Sequence, residues 1–233
     1  QSLYQEPVAD FVCPNIPESV KAVIVLPGNL GSLYFRKRIP NTVLVGEGES
    51  MPYDARIVEP GVVNICFINV RNAISFIPSI DSEKGLKLLS EIIPTYVATR
   101  NNVVESAMHN PNLIVHTVGT IMSANRIEYT NGEFWMYKEA FTPSIWNLIK
   151  ALDNEKNTII DIYKGKKSAY LEEAKWRNET DLSKNAEEVF RSYANNGGPK
   201  GPFTVDSRYL IEDVSNGLVL LYSLGELAHI ETP

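Results

Sequence analysis

Ala22-Val23-Ile24-Val25-Leu26-Pro27-Gly28-Asn29-Leu30-Gly31-Ser32 is the stretch on which the reading of the fold turns. Its first five residues are apolar, and Val23, Ile24 and Val25 are β-branched. A run with no polar face predicts a parallel strand buried on both sides rather than an alternating surface strand. The Pro-Gly-Asn cluster then turns the chain, and Leu33 to Arg38 starts a helix, giving a strand–turn–helix unit. Outward from this unit, Glu6 to Phe11 predicts a helical piece, Thr42 to Val45 a second strand and Val62 to Val70 a third. Ser82 to Ile92 carries helical spacing, with Leu86, Leu89 and Ile93 on one side.

From Asn102 onward the periodicity changes to helical throughout. Val103 to Met122, Ile145 to Tyr163, Ala186 to Tyr193 and Asp213 to Leu227 place apolar residues three and four apart. Thr142-Pro143 marks the start of one long helix, a cap followed by proline in the first turn, where its missing N–H costs nothing. Asn195-Asn196-Gly197-Gly198-Pro199 is a loop. The expected organisation is therefore an α/β region over 1–101 and an all-α region over 102–233.

Composition narrows the function classes. The 233 residues are 44% apolar and 21% charged, ordinary globular usage. A net charge of −6 and a pI near 5.2 supply no basic field for a nucleic acid, which is not expected as a partner. The apolar runs at 20–26 and 218–224 are far shorter than the roughly 20 residues of a membrane span, so no membrane partner is expected. Cys13 and Cys66 are too few for a secreted disulfide framework, and a reducing cytoplasm fits best. The chain opens at Gln1 without an initiator Met and stops abruptly at Pro233, which leads us to expect further protein at both ends.

Two segments concentrate polar groups on apolar helices. In His109-Asn110-Pro111-Asn112-Leu113-Ile114-Val115-His116, the spacing of His109, Asn112 and His116 puts all three on one helical face, most securely Asn112 and His116 because Pro111 belongs in a first turn. An imidazole above an amide suits acid–base work on a carbonyl, although a lone histidine reads first as a hydrogen-bonded group in a helix interface. In the second segment, Arg208 can grip a carboxylate with two parallel hydrogen bonds, and Asp213 near a helix start can stay ionised and orient an imidazole. Alone, Arg208 and Asp213 read first as an ordinary surface ion pair, since exposed pairs are common and weak. With His116 they supply proton transfer, its support and carboxylate capture. The remaining signals are discounted. Pro27-Gly28-Asn29-Leu30-Gly31 lacks the G-x-G-x-x-G spacing of a pyrophosphate turn. His109, His116 and Asp213 lack a full metal signature, so no metal is expected. Trp135, Tyr137 and Trp146 read as core or interface aromatics, and Glu47 and Arg56 as loop charges.

These residues together resemble the octopine and nopaline (opine) dehydrogenases. Val23-Ile24-Val25-Leu26-Pro27-Gly28 with Phe35-Arg36 is similar to a late strand and Asn-Pro-Gly loop of that family, with Leu26 in the place of its Asn. Gly46-Glu47, Pro52-Tyr53 and Arg56 resemble the segment that follows. The fullest match is Val104-Glu105-Ser106, Asn110, Asn112 and His116 with Ala124-Asn125-Arg126-Ile127-Glu128. Tyr137-Lys138-Glu139, Thr142-Pro143-Ser144, Leu152-Asp153 with Glu155, and Arg208 to Val214 with Gly217-Leu218-Val219 complete it. Thr117 replaces the proline that usually follows the histidine.

The resemblance implies the carboxy-terminal part of a Rossmann-type nucleotide-binding domain followed by a helical dehydrogenase substrate domain, with the active site in the cleft between them. It implies NAD or NADP as cofactor, bound near Pro27, Gly28, Asn29 and Glu47, its main glycine-rich motif lying outside this chain. His116 and Asp213 become the catalytic pair, and Arg208, Asn112 and Asn110 the substrate-binding residues. A keto acid and an amino acid would condense through an imine that is reduced, and a homodimer is the assembly to expect. Two alternatives stay open. One is a related 2-keto or 2-hydroxy acid reductase that needs no amine, and the other is a non-catalytic ligand-binding module.

Overall fold

β1 (Ala22–Val25) runs parallel to β2 (Leu44–Gly48), with Ala22 opposite Leu44 and Val25 opposite Glu47. β2 pairs antiparallel with β5 (Asn72–Ile77), which lies parallel to β6 (Tyr96–Thr99), so the sheet order is β1-β2-β5-β6. This computed structural model describes residues 2–233. The chain divides into two compact units, Gln1–Asn110 with Ile160–Lys166 and Pro111–Ile159 with Lys167–Pro233.

In the first unit every residue of β2 is buried, and its alternation serves two cores. Val45 joins Ala9, Val25, Phe35, Ile39 and Val43 on one face, while Leu44 joins Ile74, Phe76, Leu89 and Tyr96 on the other. Helix α1 (Gln5–Val12) and helix α2 (Ser32–Arg36) supply Ala9 and Phe35 to the first core. Helix α3 (Ser82–Ser90) supplies Leu89 to the second. The apolar run at Ala22 does form a parallel strand. Among the described residues, however, β1 is the outermost strand and only Val25 in it is fully buried, because packing on both faces still leaves an open edge.

The second strand lies later than expected. Val43 N donates to Pro40 O in a turn that excludes Thr42, and the strand continues through Gly46-Glu47-Gly48. Glycines hide a strand from propensity, but central backbone pairing keeps it. The third expected strand ends at Ile68 and stands apart from the main sheet. It is β4 (Val62–Ile68), paired antiparallel with β3 (Tyr53–Glu59) in a hairpin exposed along most of its length. Arg56 therefore sits in a strand, not a loop, and is paired with Asp54.

From Asn102 onward the chain is helical, as its periodicity predicts, but the expected helix over 103–122 is two helices, α4 closing the main segment of the first unit and α5 opening the second. α4 (Val103–Met108) is capped by Asn102, whose side chain accepts from Glu105 N, and it ends at His109. α5 (Asn112–Ile121) starts after Pro111, which lacks the N–H that a continuous helix would need. Then follow α6 (Ala124–Tyr129), α7 (Met136–Glu139), α8 (Pro143–Ile162), α9 (Tyr170–Asn178), α10 (Ala186–Asn196), α11 (Arg208–Ile211) and α12 (Val219–Ala228). The expected start at Thr142-Pro143 holds. The expected helix from Asp213 opens instead with a π-helical stretch, Asp213–Leu218, before α12. Among the described residues no helix is long and apolar enough to cross a membrane.

Candidate functional site

The turn after β1 is held from behind by a buried acid. Glu47 is 0% exposed, so it is no loop charge. Its Oε1 accepts from Leu30 N at 2.6 Å, and its Oε2 accepts from Ser32 N at 3.1 Å and from the Ser32 hydroxyl. Burial pushes this carboxyl up to about 7, against the lowering pull of the hydrogen bonds from Ser32 and Leu30. The carboxylate stands where a side chain on residue 28 would go, since a Cβ at Gly28 would meet Glu47 at 2.1 Å. Asn29 and Leu30 both adopt positive φ, at 46° and 63°. Such a backbone needs outside support in residues other than glycine. Glu47 provides it, with Gln5 Nε2 donating to Gly28 O at 2.9 Å and Asn110 Nδ2 donating to Asn29 Oδ1 at 2.9 Å.

In the second unit His116 is 6% exposed and held on three sides. Its Nδ1 lies 2.8 Å from Asp213 Oδ2, a contact between residues 97 apart in sequence. Its Nε2 lies 3.0 Å from the Tyr137 hydroxyl. The Tyr209 ring stacks on the imidazole, with centroids 3.8 Å apart and planes at 17°. Each partner comes from a different element: His116 from α5, Tyr137 from α7, Tyr209 from α11 and Asp213 from the π-helical stretch. A wider helical turn at Asp213 fits the frequent association of such stretches with functional sites. A carboxylate can only accept, so Nδ1 carries the proton there and Nε2 is left for chemistry.

Arg208, one residue before Tyr209, is exposed, and among the described residues no carboxylate lies within ion-pair distance of it. Asp213 is 3% exposed and joined to His116, so the two do not form the surface pair that the sequence left open. Asn112 begins α5 one turn before His116 and is half-buried. His109 is not on that helix. It belongs to the first unit, where its Nε2 meets Lys166 O at 3.2 Å, because the helix is interrupted between it and Asn112. Asn110, also of the first unit, reaches the turn at Asn29. Tyr137 and Tyr209 were missed as site residues. An aromatic ring in a helical sequence looks like core, and only the hydroxyl facing Nε2 marks Tyr137 out.

A mixed sheet with parallel strands and a buttressed turn after β1, followed by a helical region with a buried histidine–aspartate pair, defines a Rossmann-like α/β protein with a mostly α-helical second region. The protein-family model described as NAD/NADP octopine/nopaline dehydrogenase, alpha-helical domain, matches residues 99–233, and the chain belongs to that family. Over 240 aligned residues it is 28% identical to an opine dehydrogenase of Arthrobacter sp. (strain 1C), covering 100% of this chain and 65% of that protein. It is 23% identical to the protein ocs of Agrobacterium tumefaciens (strain Ach5), covering 94% and 61%. The chain thus spans less than two thirds of the length of these relatives. Among solved structures, octopine dehydrogenase in complex with NADH and agmatine superposes with a TM-score of 0.68 at 15% identity, over 99% of this chain and 64% of that one. D-mandelate dehydrogenase with NADH and anilino(oxo)acetate superposes with a TM-score of 0.62 at 13% identity, over 100% and 70%. These two likenesses bear on the fold alone.

Proposed function

We propose that the protein containing this chain is an NAD(P)H-dependent opine dehydrogenase, which condenses a 2-keto acid with the amino group of an amino acid and reduces the resulting imine. The observation that carries this reading is the His116 assembly: an imidazole whose Nδ1 is engaged by a buried carboxylate, leaving Nε2 for proton transfer. Arg208 anchors the keto-acid carboxylate, since its guanidinium is accessible and no carboxylate of the described chain occupies it. Asn112, one turn from His116 on the same helix, contacts substrate. The hydrogen bond of Asn110 to Asn29 favours holding the turn over touching substrate directly.

The turn itself fits a nicotinamide cofactor in one respect and not in another. The amides of Leu30 and Ser32 go to Glu47, and that of Gly31 goes to Gly28 O, so these three are not open to a pyrophosphate. What it offers is a fixed surface at Pro27, Gly28 and Asn29 beyond the carboxyl end of a parallel strand, where α/β sheets bind ligands. We assign those three residues to contact with the cofactor and Glu47 to their support. When bound, the reduced cofactor supplies the hydride. His116 moves protons at Nε2, Asp213 holds its tautomer, and Arg208 orients the acid. Two free cysteines favour a reducing compartment, the cytoplasm.

The test is an assay of the full-length enzyme. NADH and NADPH oxidation is followed with pyruvate and related keto acids, with and without a panel of L-amino acids. Turnover that requires the amine supports the opine reading, and equal turnover without it makes the protein a keto-acid reductase. Replacing Arg208 by Lys in the same assay should cut kcat/KM for the keto acid by about tenfold to a hundredfold, chiefly through KM, by losing a bidentate contact worth on the order of 1.5–3 kcal/mol. A variant that loses only thermal stability would show Arg208 to be structural.

A further inference from the structure

Building an imine from a carbonyl has a requirement that reducing a ketone lacks. The keto oxygen must leave as water, so two protons have to cross from the amine nitrogen to that oxygen. One imidazole nitrogen can pick up each proton but cannot face donor and acceptor at once. Tyr137 stands where a second group is needed. Its hydroxyl is 3.0 Å from His116 Nε2, while Nδ1 is taken by Asp213 at 2.8 Å. A phenol can donate to the bare nitrogen of a neutral imidazole and accept from the N–H of a charged one, so it stays bonded to His116 in both protonation states.

Its position is also fixed. Met136 N donates to Gly201 O at 3.1 Å and Gly201 N donates to Phe134 O at 2.8 Å, pinning the start of α7. The Tyr137 ring meets Tyr193 edge-on at 5.1 Å and packs near Phe141 and Phe190. The ring is only half-buried. The Tyr209 ring meanwhile holds the imidazole plane. Held geometry of this kind is what proton transfer needs, because reacting groups must lie within hydrogen-bond reach.

Resting on the opine reading above, we propose that Tyr137 is a second catalytic residue, which relays protons from His116 Nε2 to the departing keto oxygen during imine formation. The step balances. The substrate ammonium passes a proton to the Tyr137 oxygen as the Tyr137 proton moves to His116 Nε2, and the freed amine forms its bond to the keto carbon. The resulting alkoxide takes the Tyr137 proton, and Tyr137 is refilled from Nε2–H. By the same route the added nitrogen gives a proton to Tyr137 as Tyr137 protonates Nε2, and Tyr137, refilled from Nε2–H, passes a proton to the hydroxyl. Water leaves as the carbon–oxygen bond breaks and the nitrogen lone pair forms the iminium double bond. Keto acid plus ammonium becomes iminium plus water, with nothing oxidised or reduced.

The test uses Tyr137→Phe in the full-length enzyme, a change that keeps the ring and its packing. Long-range 15N–1H spectra of the His116 imidazole report whether the hydroxyl engages Nε2 and whether the domain stays folded. The Nε2 resonance should move on substitution, and an unmoved resonance overturns the contact. With pyruvate and an amino acid that the wild type uses, kcat should fall about tenfold to a hundredfold while both KM values change less than about threefold. A folded variant that keeps more than about half the wild-type kcat overturns the relay. Should the wild type itself show no amine-dependent turnover, the opine reading fails first and this proposal falls with it.

Discussion

His116→Asn in the full-length enzyme should lower kcat by about a hundredfold to ten-thousandfold, with a smaller change in KM, because proton transfer counts in the transition state and not in ground-state binding. Asparagine keeps a polar group of similar reach but cannot carry a proton between substrates near neutral pH. Asp213→Asn should lose activity through a different route. The carboxylate can only accept, so it fixes the proton on Nδ1 and leaves Nε2 facing Tyr137. An amide can present its NH2 to Nδ1 and put the proton on Nε2 instead. Since both substitutions disable one unit, the double variant should be hardly worse than His116→Asn alone, far from the product of the two losses. Steady-state kinetics of the three variants checks this, and fully multiplicative losses would separate Asp213 from His116.

Stability that falls as pH rises from about 5 to about 7 is the expected signature of Glu47. Burial raises its folded-state carboxyl to about 7 from an ordinary value of 4.5. A raised folded value means the native state holds its proton more tightly than the unfolded chain does. The contribution is therefore complete below the ordinary carboxylate range and is lost as pH rises through about 7. The full swing is on the order of 3 kcal/mol. Urea unfolding of wild type and Glu47→Gln at several values between pH 5 and 8 isolates this group from every other titration. The variant should lack the slope while binding cofactor more weakly, because Leu30 N and Ser32 N lose the shared carboxylate that keeps Asn29 and Leu30 left-handed. Identical slopes in the two proteins would show that Glu47 does not titrate in this range.

Much of the architecture was legible because local patterns and tertiary demands agree. The apolar, β-branched run at Ala22 reads as a strand, Pro27-Gly28 as a turn and Thr142-Pro143 as a helix start, and the structure has each of them. Helix α9 was not legible. Its buried face carries Glu173 and Arg177, and a buried charged face erases the apolar stripe by which a helix is recognised. On α8 a buried pair, Lys156 Nζ 2.7 Å from Asp153 Oδ1 and donating to Ser168 O, did not hide the helix, because Ile149, Ile159 and Ile160 keep its apolar spacing. β5 and β6 also escaped notice, because short strands are settled by their neighbours in the sheet rather than by their own composition.

For the candidate site, the sequence nominates His116, Asp213 and Arg208 only in combination, because proton transfer and carboxylate capture restrict which side chains can serve. The partners were decided only by tertiary structure. Pro111 broke the helix and sent His109 to Lys166, so one of two candidate histidines was removed by a missing backbone N–H. Glu47 changed from a loop charge to a buried buttress once β2 extended through it. Tyr137 and Tyr209 meet His116 only because α7 and α11 pack against α5. A hydrogen bond depends on distances of tenths of an ångström between residues far apart in sequence, and no one-dimensional spacing encodes that.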